Sequence, residues 1–221
     1  MAGKFITFEG GEGAGKSTQA ALLAKRLSGM GIGVLLTREP GGSPGAEIIR
    51  HVLLSGAARC FGPDAEALLF AAARADHLDT AIKPALRAEQ WVICDRFLDS
   101  TRVYQGIVGK VDLPFIKGLE KLTVGAAKPD LTLILDLPAE IGLARAHARR
   151  GDAVADRFET EDLAYHEALN AGFRTIAGEE RERCVLIDAN RPQDRVAAEI
   201  LALVCKRLHP ETAPLTVDMA R

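Results

Sequence analysis

The chain has no cysteine pair at metal-binding or redox spacing. Cys60, Cys94, Cys184 and Cys205 are scattered through 221 residues without a C-x-x-C. That argues against a zinc site or a disulfide framework and fits a reducing compartment. Cys94 and Cys184 lie in apolar runs and read as small buried hydrophobes. Nor is there a surplus of one charge. The formal net charge is −2, so neither a nucleic-acid polymer nor an anionic membrane is indicated as a partner. Affinity for phosphate must then come from local placement of arginines. No apolar run reaches the length of a membrane span, and no charged leader with an apolar h-region precedes the first strand-like run. A cytoplasmic protein is the expectation. Internal repeats, low-complexity tracts and inter-domain linkers are also missing. What is present is ordinary for a globular domain: 48% hydrophobic and 26% charged residues, enough to bury one core.

Short apolar runs alternate with helix-length stretches. Phe5–Phe8, Gly33–Thr37, Trp91–Cys94, Leu131–Leu135 and Cys184–Ile187 read as strands. Residues 45–54, 64–88, 114–124, 139–148, 159–177 and 191–208 read as helices. The second is expected to kink or end at Pro84. This pattern predicts an α/β fold, a five-stranded parallel sheet with helices on both faces. Functional residues should gather at the carboxyl ends of the strands, where Glu9, Arg38, Asp95, Asp136 and Asp188 fall. Residues 209–221 carry two prolines and little pattern, and fraying is expected there.

Gly10-Gly11-Glu12-Gly13-Ala14-Gly15-Lys16-Ser17 fits G-x-x-x-x-G-K-[ST] between a strand and a helix. That context defines a phosphate-binding P-loop. Its backbone N–H groups can cradle phosphate oxygens, and the helix that opens at Lys16-Ser17-Thr18 adds partial positive charge. Lys16 suits the β- and γ-phosphates of ATP, and the Ser17 hydroxyl suits Mg²⁺.

Three further segments carry possible chemistry. Asp95 ends an apolar strand and can hold Mg²⁺ through water; Arg96 can fork onto a phosphate. The same two residues would also make an ordinary surface pair. Arg38-Glu39-Pro40-Gly41-Gly42 can close on an anion or be a plain turn, and Arg50 lies in the following helix. Arg145, Arg149, Arg150 and Arg157 surround Gly151-Asp152. They read either as a mobile lid at about 145–158 or as a solvated basic helix end.

Taken together, these segments resemble bacterial thymidylate kinase from about Lys4 to Asn190. The likeness rests on Phe8-Glu9-Gly10 through Thr18, Arg38–Gly42, Leu69–Arg74, Asp95-Arg96-Phe97 and Ser100-Thr101. It continues through Tyr104-Gln105-Gly106, Pro129–Asp136, Asp156–Glu159 and Ile187–Ala189. The resemblance implies a P-loop kinase that transfers the γ-phosphoryl of ATP to dTMP, with Mg²⁺, and that forms a homodimer. By position, Phe70 would stack on thymine. Arg74 and Gln105 would read the base edge, with Thr101 nearby, and Tyr104 would crowd a 2′-hydroxyl. Arg38, Arg50 and Arg96 would hold the dTMP phosphate, with Glu39 near it and the metal. Glu12 would meet the sugar 3′-hydroxyl and a lid arginine. With no arginine inside the P-loop, the resemblance assigns the catalytic arginine to the lid, at Arg149 or Arg150. The sequence departs from the family at a longer lid and at Arg102, where a small or apolar residue is common.

Individual residues keep plainer readings: Phe70 and Tyr104 as core, Glu12 as a solvated acid. The rival activities are another nucleoside monophosphate or deoxynucleoside kinase, in which Glu39 would be a candidate base, and a non-catalytic P-loop switch. The absence of an Asn-Lys-x-Asp run weakens a guanine switch.

Overall fold

A computed structural model describes residues 2–150, 158 and 160–208 of the chain. Strands β1 (Phe5–Gly10), β2 (Val34–Arg38), β3 (Trp91–Asp95), β4 (Leu131–Asp136) and β5 (Cys184–Asp188) form one sheet in the order β2-β3-β1-β4-β5. Every pairing is parallel. All six residues of β1 are buried, as a central strand covered on both faces requires.

The pleat divides the core. Ile6, Phe8, Trp91, Ile93, Leu131 and Leu133 face α1 (Lys16–Gly29) and the C-terminal helix Gln193–Leu208 through Leu23, Leu27, Val196 and Ile200. Phe5, Val92 and Cys94 pack on the opposite face with Leu78, Ile82 and Phe97. Burying one such Phe or Leu contributes about 2 kcal/mol, so the sheet is a rigid base for the loops at its carboxyl edge.

Helix α2 (Pro44–Leu54) follows β2. Next come α3 (Gly62–His77), a π-helical turn Leu78–Ile82 and α4 (Lys83–Arg87). The single helix expected at 64–88 is therefore interrupted before Pro84, which falls in the first turn of α4. The wide turn accommodates the missing N–H of the proline and its bulky ring. Sequence periodicity gave no sign of α5 (Leu98–Thr101) or of the π-helical segment Arg102–Val108 that continues it. The remaining helices are α6 (Leu113–Thr123), α7 (Ala139–Arg150), α8 (Leu163–Glu179) and α9 (Gln193–Leu208). Helix α8 starts later than the expected residue 159, because Asp162 caps it by accepting a hydrogen bond from the Tyr165 N–H. Cys94, Cys184 and Cys205 are buried and Cys60 is exposed. Among the described residues, no helix is long and apolar enough to cross a membrane. Residues 209–221, half of the expected lid (151–157, including Arg157) and residue 159 lie outside the described residues, as does the Arg150 side chain.

Candidate active site

The P-loop joins β1 to α1 and is braced by α7. Gly13 has φ +65°, and a Cβ there would lie 1.9 Å from the Gly142 carbonyl oxygen. A Cβ on Gly142 would reciprocally lie 2.2 Å from the Glu12 carbonyl oxygen. Only glycine permits this backbone-to-backbone approach, and it fixes the stem of α7 against the loop.

Lys16 is 6% exposed, and its Nζ donates to the carbonyls of Gly10 (3.1 Å) and Gly11 (2.7 Å). Burial first, and then the neighbouring Arg96 charge, lowers its pKa to about 8. Ser17 Oγ donates to Asp95 Oδ2. The other carboxylate oxygen, Asp95 Oδ1, is buried with no hydrogen-bond partner among the described residues. A hydroxyl beside a carboxylate with an unsatisfied oxygen is the donor set Mg²⁺ takes when phosphates and water complete its shell. Among the described residues there is no cluster of three or more His, Cys, Asp or Glu side chains that would bind a metal alone.

Two cavities flank the loop. The first, ≈ 220 Å³, is bordered by Glu12, Lys16 and Ser17 on one side. Across from them stand Arg38, Glu39, Arg50, Phe70, Arg74, Asp95, Arg96, Thr101, Tyr104 and Gln105. Every acceptor residue expected from the sequence thus reaches one cavity, although β2, α2, α3, β3, α5 and the π-helical segment each supply only a few. The second cavity, ≈ 280 Å³, lies beyond Gly13, Ala14, Gly15 and Thr18. Gln19, Arg145, Arg191 and Gln193 complete it, and Arg149 borders both.

The polar groups of the first cavity are held from behind. Arg74 is 3% exposed; its Nε donates to Glu39 Oε2 (2.8 Å) and its Nη2 to Thr101 Oγ1 (3.0 Å) and the Phe97 carbonyl (3.1 Å). Gln105 donates to the buried Glu66 at 2.7 Å. Arg50 donates to the Pro40 carbonyl at 2.6 Å, and Arg38 pairs with Glu47 at 2.9 Å. Arg96 pairs with Glu12 and lies 5.0 Å over the Tyr104 ring, whose hydroxyl donates to the same Glu12 oxygen at 3.1 Å. Burial would raise the Glu12 pKa; Arg96 and Lys16 outweigh it and hold the carboxyl at about 2. The Phe158 ring packs 5.3 Å from Tyr104 and 6.4 Å from Phe70.

Several of these contributors have no local signature in the sequence. Phe158 was only part of a motif, and Gln19, Arg191, Gln193 and Glu66 carried no signal. Gln19 and Gln193 meet through a 3.0 Å hydrogen bond across 174 positions, a separation no local pattern encodes. Arg102 does not line the first cavity and binds Glu120 through two hydrogen bonds of 2.5 and 2.6 Å.

The family model described as thymidylate kinase matches residues 8–200. The chain belongs to the thymidylate kinase family. It is 58% identical over 206 residues to "Thymidylate kinase" of Afipia carboxidovorans, covering 93% of this chain and 90% of that protein. With "Thymidylate kinase" of Bradyrhizobium diazoefficiens it shares 57% identity over 211 residues, covering 96% and 92%. The crystal structure of thymidylate kinase from Ehrlichia chaffeensis superimposes with a TM-score of 0.74 at 34% identity, covering 92% of this chain and 99% of that one.

Proposed function

We propose that the chain transfers the γ-phosphoryl group of ATP to dTMP, giving ADP and dTDP on the way to dTTP. The observation that carries this reading is the pair of cavities meeting at Gly13, Gly15 and Arg149. The larger cavity, beyond Gly15 and Thr18, takes ATP, its phosphates lying along Gly10–Thr18. The other takes dTMP: Phe70 on the base face, Arg74, Gln105 and Thr101 at the base edge, Tyr104 at the sugar, and Arg38, Arg50 and Arg96 at the phosphate.

Transfer is an in-line attack by a dTMP phosphate oxygen on the γ-phosphorus. That oxygen is already largely ionised near neutral pH, so no general base is needed. The protein's work is positioning and charge neutralisation. Lys16 and Arg96 supply fixed positive charge, and Arg149, with Arg150 as the alternative, lays a lid cation across the junction. Glu12 holds Arg96 in line until the acceptor phosphate competes for it. Ser17 and Asp95 would hold Mg²⁺, which when bound neutralises charge on the β- and γ-oxygens. In this reading Arg145 and Arg149, on the described part of the expected lid, lie over the phosphates and limit hydrolysis by water.

Glu39 is poorly placed to act as the base of a nucleoside kinase, because both of its carboxylate oxygens are engaged, by Arg74 and His77. We place the protein in the cytoplasm as a homodimer. The exposed Ile48 on α2 and Leu68 on α3, two helices packed side by side, suit its interface. The test is an acceptor panel with Mg·ATP: dTMP, dUMP, dCMP, AMP and thymidine. Preferred turnover of dTMP is expected. Preference for AMP or thymidine overturns the acceptor reading, and turnover with none of the acceptors favours a switch.

A further inference from the structure

The acceptor-side loop Arg38–Gly42 rests on a buried histidine. His77, the last residue of α3, has 0% exposure. Its Nδ1 lies 3.1 Å from Glu39 Oε1 and its Nε2 lies 2.7 Å from Thr37 Oγ1. A carboxylate oxygen only accepts, so Nδ1 carries the proton, and in the neutral ring Nε2 accepts the Thr37 hydroxyl. The second Glu39 oxygen accepts from Arg74, which continues to Thr101. An unbroken chain of hydrogen bonds, Thr37–His77–Glu39–Arg74–Thr101, therefore joins the end of β2 to α5 behind the cavity wall.

The loop also sits directly on this chain. Gly42 has φ +86°, and a Cβ there would lie 2.4 Å from His77 Nε2 and 2.5 Å from Thr37 Oγ1. One residue earlier on α3, Asp76 accepts from Ser43 Oγ (2.6 Å) and the Ala46 N–H (3.0 Å), which fixes the start of α2 and hence Arg50. A carboxylate held at one oxygen can swing about its last bond. Held at both, Glu39 has a set plane, and it transmits that plane to the Arg74 fork.

We propose that His77 is a positioning residue for acceptor recognition. Through Glu39 it fixes the Arg74 guanidinium against the base, and through Gly42 it seats the loop that carries Arg38. The inference rests on the reading of this cavity as the dTMP site. It goes beyond that reading by assigning base selection to a side chain that touches no substrate.

The geometry separates the variants. Asparagine places its amide nitrogen near the position of Nδ1 and keeps the donor to Glu39. Glutamine reaches toward Thr37 and loses that donor. With wild-type dTMP turnover established first, His77→Gln is expected to raise KM for dTMP about tenfold and to leave KM for ATP within about twofold. His77→Asn should stay within about threefold of wild type for both. In a Glu39→Gln background, His77→Gln should add less than about twofold, because the path is already cut. An unchanged dTMP KM with only a lowered melting temperature would reduce His77 to a core filler and overturn the proposal. So would effects of the two substitutions that simply multiply. Should His77→Gln fail to fold, Thr37→Val at the partly exposed end of the chain is the substitute. A KM rise for dTMP alone supports the relay, and no rise refutes it. A wild-type protein that does not turn over dTMP would fail on the functional reading itself, before any variant is compared.

Discussion

Glu9 offers a sharp test of how the site is held. It lies in β1 with 0% exposure. Its Oε1 accepts from the backbone N–H groups of Phe97 (2.8 Å) and Ser100 (3.2 Å), and its Oε2 accepts from Ser100 Oγ (2.6 Å). These bonds clamp the turn in which Arg96 adopts φ +66°, a conformation costly for a residue with a Cβ. Burial first, and then the Asp99 charge, pushes the Glu9 pKa from 4.5 up to about 7. The folded state therefore binds this proton more tightly than the unfolded chain does. The resulting stability is fully present below 4.5 and is lost as pH rises through about 7. At ~1.4 kcal/mol per pKa unit, the loss is about 3 kcal/mol. Glu12 acts in the opposite sense and elsewhere, its contribution being lost only as pH falls from 4.5 toward about 2. Lys16 changes stability only between about 8 and 10.5. In Glu9→Gln, an oxygen remains for the two N–H donors and the titration disappears. Urea unfolding of both proteins, followed by the fluorescence of the buried Trp91, should show the wild type losing about 2–3 kcal/mol between about pH 5 and pH 8 relative to the variant. Parallel pH profiles would refute the reasoning.

Other perturbations address the chemistry. Asp95→Asn should raise the Mg²⁺ concentration for half-maximal rate about tenfold with little change in KM for dTMP; an unaltered Mg²⁺ titration would remove Asp95 from the metal. Arg149→Ala should lower kcat about 10²–10³-fold while both KM values move only a few-fold. A kcat near wild type would move the lid role to Arg150. Ile48→Asp, at a residue 71% exposed, should convert the proposed dimer to monomer in light scattering and leave the monomer folded by circular dichroism; a dimeric variant would remove this face from the interface.

The features legible in the sequence are those whose chemistry is contiguous. The P-loop is eight successive residues, and the spacing Phe70 to Arg74 is one helical turn, so neighbours in sequence are neighbours in the site. Arg74 and Gln105 were traceable through motifs, but the long-range pairings that brace the site were not. Glu66 reaches Gln105 from another helix, and Glu9 reaches Ser100 across 91 positions. Helix α5 and its π-helical continuation escaped detection because Asp99, Ser100, Thr101 and Arg102 are polar or β-branched and show no apolar period. The Pro84 break was foreseen, but its form, a wide turn ending two residues upstream, depends on packing of Leu78 and Ile82 under the sheet.

That undetected turn is where the site's separate constraints converge. A four-residue helix has no stability of its own, so the geometry of α5 is imposed from outside. Asp99, 0% exposed, takes two hydrogen bonds from Arg183 at 2.7 and 2.9 Å. Ser100 goes to Glu9, Thr101 to Arg74, and Arg102 to Glu120 and Glu180. Arg183 also donates to Thr132 at 2.6 Å, and Thr132 shares a 2.7 Å hydrogen bond with Thr7 in the middle of the sheet. Successive residues are thus drawn to the sheet, to α3 and to α6. Arg96 and Tyr104, the proposed phosphate and sugar contacts, stand at either end of this turn. Arg102, the apparent departure from the family pattern, then has a physical reason. A buried Asp99 beside Glu120 and Glu180 needs more than one cation, and Arg102 supplies the second without lining the first cavity.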